Sequence, residues 1–349
     1  MIATWYAILS FMLIVYVVLD GRNFGAGMLH WFIARTPEER RQVIAAIGPL
    51  WSWHEVWLVG FGGVLVAVFP RLMASAFAGY YLALFLILWG LILRGISIEV
   101  GGHINDRLWQ GFWDFVFVFA NFLLAILFGA AAGNLARGVP LDANGNFSMA
   151  FFTNFRAHGY VGLLDWYTVS VAVFAAVILA AHGATYLTLK TEGPVHDRSA
   201  TCAKYLWAAV APLFLAISIE SWVVRPELPG QAIYNPFCWL GLLVIVVSTI
   251  TLISGLSTSR EMRGFVGSNL LLVGLLLTGS ATIFPVMLHS TLAPENSLTA
   301  YAVASSSNAL FVASIWWPMG FVLATAYFVF ISRRYEGKVS VKRDTQGFY

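Results

Sequence analysis

Ile47-Gly48-Pro49-Leu50-Trp51-Ser52-Trp53-His54-Glu55-Val56-Trp57-Leu58 opens an apolar run that closes only at Pro70. A helix over 49–69 is long enough to cross a hydrocarbon core, which takes about 20 residues, yet this one carries His54 and Glu55 in its first half. Insertion scales put an acid or base at the centre of a membrane helix at about +2.5 to +3.5 kcal/mol, so such a residue has a partner, a water-filled cavity or a task. The spacing of Ser52 and Glu55 puts them on one helix face, and Gly62 and Gly63 beyond them are small enough to admit a neighbouring helix. Glu55 is therefore expected to face protein rather than lipid.

The rest of the chain has the same character. Of 349 residues 59% are hydrophobic and 11% charged, and the mean hydropathy is +0.78. Backbone groups in lipid must be satisfied internally, and the alternation of a membrane barrel is absent, so the expected fold is an all-α integral membrane protein. Nine transmembrane helices are expected, at 4–33, 49–69, 74–98, 111–136, 158–189, 204–224, 237–257, 265–289 and 307–332. They form one polytopic domain over 1–349, expected to pack as two four-helix bundles plus one peripheral helix, with a tail over 333–349. The first apolar run lacks a basic n-region and a convincing cleavage site, so helix one is expected to be retained.

Orientation follows from Lys and Arg. Connections after odd helices, with the tail, hold Arg35, Arg40, Arg41, Arg107, Lys190, Arg198, Lys204, Arg260, Arg263, Arg333, Arg334, Lys338, Lys342 and Arg343; those after even helices hold Arg71, Arg137, Arg156 and Arg225. The positive-inside rule then puts the C-terminus in the cytoplasm, the N-terminus on the opposite side and Glu55 toward the cytoplasm. The formal charge of +3 is spread without a basic block, which argues against nucleic acid as a partner. Cys202 and Cys238 sit in different spans without C-x-x-C spacing, so neither a disulfide framework nor a sulfur metal site is suggested.

Inside or at the exits of these spans lie Asp20, Arg22, His30, His54, Glu55, Arg94, Glu99, Asp114, Asp165, His182 and Glu220. Two readings compete. As helix-packing glue, Asp20 would pair with Arg94, and Asp114 would bond an indole NH. As a functional chain, the acids would pass protons, since burial and a neighbouring guanidinium act in opposite senses on a carboxyl's hold on its proton. Membrane cores rarely keep so many acids without water access, which favours function for the set. Asp165, Glu220 and His30 lie near span ends, where solvation is cheap. Trp51, Trp53, Trp57, Trp109, Trp113, Trp316 and Trp317 fall close to span ends, the usual place of an anchoring indole. His54 and His182 are of the type that ligates haem iron, but no companion ligand stands at helical spacing.

Through most of its length the chain resembles subunit II of the cytochrome bd-type quinol oxidases. The resemblance is carried by Leu19-Asp20-Gly21 with Phe24-Gly25-Ala26-Gly27-Met28-Leu29, Arg35-Thr36 with Glu39-Arg40-Arg41, and Ile47-Gly48-Pro49 with Trp51 and Glu55-Val56-Trp57-Leu58. It continues through Gly62-Gly63, Pro70, Phe77-Ala78-Gly79-Tyr80-Tyr81, Arg94, Trp113-Asp114, Gly183-Ala184-Thr185-Tyr186-Leu187, Phe284-Pro285 and Ser297-Leu298-Thr299. Their shared order is the specific signal.

The resemblance implies a subunit of a membrane quinol:oxygen oxidoreductase in the bacterial cytoplasmic (inner) membrane. It would pair with a haem-bearing subunit I, in which b- and d-type haems reside, and carry no haem or metal itself. A structural quinone occurs in some members, and small accessory subunits are further candidate partners. The expected proton pathway is Asp20, Ser52, His54, Glu55 and Glu99, with Arg94 tuning it and Asp114 orienting its helix. Two departures stand out. Where the family reads Trp-Asp-Gly-Asn, this chain has Trp51-Ser52-Trp53-His54, and a second family acid falls at Ala302. Outside the resemblance, the rivals are a purely structural membrane subunit and a proton-coupled transporter.

Overall fold

A computed structural model describes residues 1–156 and 159–339. Helices dominate: α1 (Ile2–Ile33), α2 (Pro37–Ile47), α3 (Trp51–Val68), α4 (Pro70–Gly79), α5 (Tyr81–Val100), α6 (Arg107–Arg137), α7 (Trp166–Lys190), α8 (Pro194–Val224), α9 (Leu228–Tyr234), α10 (Pro236–Ser257), α11 (Glu261–Ile283), α12 (Ala300–Val303) and α13 (Ser307–Arg334). Among the described residues nine of these, α1, α3, α5, α6, α7, α8, α10, α11 and α13, are long and apolar enough to cross a membrane.

Local chemistry explains where they start and stop. Thr36 and Glu39 form a reciprocal capping box, with Pro37 in the first turn of α2. Asp106 accepts from the Leu108 and Trp109 amides at 2.9 Å each to open α6. Asp165 and Thr168 form a second capping box at α7, so that helix begins at Trp166. The expected start at 158 lies outside the described residues.

Several boundaries differ from the hydropathy reading. The expected helix 74–98 is two helices broken at Tyr80, where the Phe147 ring lies against Gly79 and leaves no room for a Cβ. The expected start at 204 moves back to Pro194, because the added turns carry His196, Asp197 and Arg198, which a hydropathy window rejects but which pair outside the apolar zone. The expected helix 265–289 ends at Ile283. Phe284-Pro285 follows it, and Val286–Leu288 (β1) pairs antiparallel with Leu298–Thr299 (β2). Arg333 and Arg334 belong to the last turn of α13; Lys342, Arg343 and the rest of the expected tail from 340 onward lie outside the described residues.

Helix α1 is the hub, packing against α3, α6, α7 and α11, while α7 also contacts α8, α10 lies along α11, and α13 rests on α3. The α1/α7 crossing is backbone on backbone: a Cβ on Gly25 would come 1.9 Å from the Leu179 carbonyl oxygen, and one on Gly183 2.3 Å from the Ala26 nitrogen. Gly62 and Gly63 do not do this, since a Cβ on either would meet nothing within 4 Å. Among the described residues of this chain no helix approaches Gly62 or Gly63; close approaches are made at Gly25 and Gly183, among others.

Beyond α13, Tyr335 to Val339 lie across the helix ends. The Val339 amide donates to the Lys190 carbonyl at 2.7 Å, Gln42 Nε2 donates to the Val339 carbonyl at 2.8 Å, and Lys190 Nζ donates to the Tyr335 and Gly337 carbonyls. Lys338 pairs with Glu261 at 2.8 Å.

Candidate functional site

Three spans bring their buried charges to one point. Asp20 of α1 and Arg94 of α5 are both fully buried, and Arg94 Nη1 donates to the two Asp20 carboxylate oxygens at 2.9 Å each. Arg94 Nη2 donates to Glu55 Oε1 of α3 at 2.5 Å. The Phe24 ring, one turn after Asp20, lies 4.7 Å from the Arg94 guanidinium carbon. One cation is thus shared by two carboxylates, one sealed and one at 25% exposure. Charge-assisted bonds of this kind hold ions in low dielectric, and the open flank of Glu55 gives the cluster a route to water or a neighbouring subunit.

A second arm leaves Asp20 along α1. The Asn23 side-chain amide lies 3.0 Å from Asp20 Oδ1 and 2.7 Å from His54 Nδ1, and Arg22 Nη2 donates to His54 Nε2 at 2.9 Å. Arg22 in turn lies over the Tyr186 ring of α7, 4.6 Å from its centroid. His54 is fully buried and engaged on both nitrogens. His182 is likewise engaged, by the Val18 carbonyl and the Ser268 hydroxyl at 3.0 Å each. Neither imidazole presents a free nitrogen for axial ligation, and no group of three or more His, Cys, Asp or Glu suited to a metal occurs among the described residues.

Toward the α1 C-terminus lies a separate triad. Asp114 of α6 accepts from His30 Nε2 at 3.0 Å and from Arg40 Nη1 at 2.8 Å. Sequence reasoning placed an indole beside Asp114; the structure places His30 and Arg40 there, and His30, set aside as a span-end residue, is fully buried. Further out, Glu39 meets Arg198 at 2.5 Å. Burial pushes the Glu39 carboxyl up, but hydrogen bonds from Arg198 and from the Arg35 and Thr36 amides outweigh it and hold the group below its ordinary value.

Of the expected pathway residues, Asp20, His54 and Glu55 come together, with Arg94, expected to tune them, between Asp20 and Glu55. Glu99 sits five residues beyond Arg94 on α5, exposed, accepting from the Trp51 indole at 3.2 Å. The Trp51 ring lies 5.9 Å from Arg94, so Glu99 is linked to the cluster through an aromatic side chain. Ser52 is exposed on α3. Asn23 was missed because it carries no charge; its three-residue spacing from Asp20 on one helix face was the available signal.

At the opposite end of α7 a cavity of ≈ 360 Å³ is lined by Arg137, Asp165, Tyr167, Arg225, Glu227 and His289, among others. Its buried guanidiniums are already paired, Arg137 with Asp165 and Arg225 with Glu227.

Comparison with known proteins agrees with this architecture. The sequence model of the cytochrome bd terminal oxidase subunit II family matches residues 1–334. The chain is 28% identical over 376 aligned positions to the cytochrome bd-I ubiquinol oxidase subunit 2 of Escherichia coli K12, covering 99% of this chain and 97% of that one. It is 29% identical over 218 positions, 62% of each chain, to the cytochrome bd ubiquinol oxidase subunit 2 of Bacillus subtilis. Its fold superposes on a chain of the bd oxidase from Geobacillus thermodenitrificans with a TM-score of 0.70 at 14% identity, covering 96% of this chain and 98% of that one. The chain belongs to the cytochrome bd terminal oxidase subunit II family.

Proposed function

We propose that this chain pairs with a haem-bearing subunit I in a quinol:oxygen oxidoreductase of the bacterial cytoplasmic membrane and supplies a proton pathway from the cytoplasmic side. The haems, held by the partner, supply electron transfer and oxygen reduction. Reduction of oxygen to water consumes protons, and the residues of this chain bear on that supply alone. The observation that carries the reading is the Asp20–Arg94–Glu55 cluster, two carboxylates on one buried guanidinium drawn from three spans. Glu55, partly open, exchanges protons with its surroundings; Arg94 bonds both acids at once; Asp20 hands on toward His54 through Asn23. Glu99 and Ser52 lie on the exposed approaches. The positive-inside orientation puts the C-terminal ends of α1 and α5, and hence Glu99 and the Asp114 triad, toward the cytoplasm.

One observation also favours a purely structural reading: the bidentate Asp20–Arg94 pair ties α1 to α5 as a packing lock would. Glu55→Gln separates the two, because it keeps shape and removes the exchangeable proton. In the assembled complex with full haem, quinol-driven oxygen uptake should fall about tenfold or more, a barrier change of about 1.4 kcal/mol. Unchanged uptake with full haem removes Glu55 from the path and leaves the lock.

A further inference from the structure

The cavity at the end of α6 opposite Asp114 takes no part in the proton path. Of its lining, Arg137, Asp165 and Arg225 are buried and Arg156, Val223 and Glu227 are exposed, so it opens outward from a charged floor. Three guanidiniums stand against two carboxylates, which leaves one positive charge uncompensated. Its volume of ≈ 360 Å³ lies at the lower end of the roughly 300–1,000 Å³ of small-ligand sites.

Pairing does not use up these guanidiniums equally. Arg137 is saturated: Nε donates to the Gly138 carbonyl, Nη1 to the Gly162 carbonyl and to Asp165, and Nη2 to Asn134 Oδ1. Arg225 donates from Nε to Glu227 at 2.6 Å and from Nη1 to the Ala136 carbonyl at 3.2 Å. Its Nη2 has no partner among the described residues, although the residue is only 5% exposed, and this nitrogen is not sealed, so it is reached through the cavity that Arg225 lines. The Arg156 guanidinium also has no partner among the described residues. A free edge of a buried guanidinium beside an uncompensated cation is a donor set suited to a phosphate, whose oxygens match the planar fork.

Depth and surroundings indicate which phosphate. Trp166, the first residue of α7, lines the cavity, and Trp222 lies in the last turn of α8 beside it; indoles of this kind collect at the level of lipid headgroups. From the cavity wall at Val223 an exposed apolar stripe continues along α8 through Trp222, Ile219 and Leu215, whose spacing keeps them on one helix face. We propose that the cavity holds the phosphate of an anionic phospholipid, with Arg225 Nη2 and Arg156 as its donors and an acyl chain laid along the Val223 to Leu215 face of α8. A headgroup of net charge −1 matches the one uncompensated guanidinium. Arg137 and Asp165 act as wall, closing the floor where α6 ends and α7 begins.

The site lies outside the proton path, and its test does not use turnover. The lipid-depleted assembled complex is titrated with short-chain phosphatidylglycerol, and the bound lipid is counted by native mass spectrometry. One lipid should bind about tenfold more weakly in Arg225→Gln, which loses a charge-assisted bond. It should bind about threefold more weakly in Arg156→Gln, whose charge is exposed and screened. Arg71→Gln, which removes an exposed cation outside the cavity, should bind as the parent does. Equal affinity in the parent, Arg225→Gln and Arg156→Gln overturns the proposal, and so does an equal loss in Arg71→Gln. Should Arg225→Gln fail to assemble, Arg156→Gln, at an exposed position, carries the test. Phosphatidylcholine of the same chain length, which has no net charge, should bind more weakly; equal binding overturns the anionic assignment. Inorganic phosphate and glycerophosphoglycerol, which lack acyl chains, should displace the lipid only in large excess. Displacement at the lipid's own concentration makes this a site for free anions and overturns the lipid.

Discussion

Arg94→Leu tests whether the shared guanidinium holds the spans together. Without it Asp20, fully buried, keeps only the Asn23 amide of its present partners, so a buried charge loses two charge-assisted bonds at 2.9 Å. Breaking a buried pair from one side destabilises by roughly 3–5 kcal/mol. Glu55, at 25% exposure, rehydrates and adds at most about 1 kcal/mol. Asp20→Leu should be milder, because Arg94 retains Glu55 at 2.5 Å and the Phe24 ring. The double replacement should be less destabilised than Arg94→Leu alone, since an apolar pair of similar volume leaves no stranded charge. Equilibrium denaturation of the assembled complex in mixed micelles measures all three. An Arg94→Leu value within about 1 kcal/mol of the parent, or a double variant equal to the sum of the singles, would refute the reasoning.

Gly25→Val and Gly183→Val should each abolish recovery of the assembled complex, because the Cβ would overlap backbone atoms across the α1/α7 crossing, whereas Gly62→Ala should assemble normally; detergent extraction followed by partner retention reads the contrast. His289 supplies a pH dependence. Burial, reinforced by Arg225 and partly opposed by Glu227, holds its imidazole below the ordinary value. The unfolded chain takes up that proton near pH 6.5 and the folded chain only at lower pH, so the contribution is present above about pH 6.5 and is lost as pH falls below it. The parent should lose more unfolding stability between about pH 7.5 and 5.5 than His289→Gln; equal losses contradict the assignment.

The spans were legible because about 20 apolar residues in a row have few other uses, and the Asp20–Arg94 pairing was legible because opposite charges in hydrocarbon have few other places to go. What escaped was set by groups that hydropathy scores as noise. The first turns of α8 were lost because His196, Asp197 and Arg198 lower the window average, although His196 pairs with Asp197 and Glu261 and Arg198 pairs with Glu39. The break at Tyr80 depends on Phe147, which is distant in sequence, and no local signal announces it. In the site, Asp114 was given the wrong partner because nothing local to it in the sequence distinguishes an indole from a histidine on another span. Asn23 was passed over because a neutral amide shows its importance only when its neighbours are known to compete for it.

The strap over Tyr335 to Val339 also bears on the order in which the molecule can be made. Gln42, in the first interhelical segment to emerge from the ribosome, takes as its partner a carbonyl 297 residues later. Lys190, at the middle of the chain, waits for the same stretch. The spans up to α13 must therefore be threaded into the bilayer before these bonds close. Closure of these contacts follows the synthesis of the last span rather than the insertion of the first.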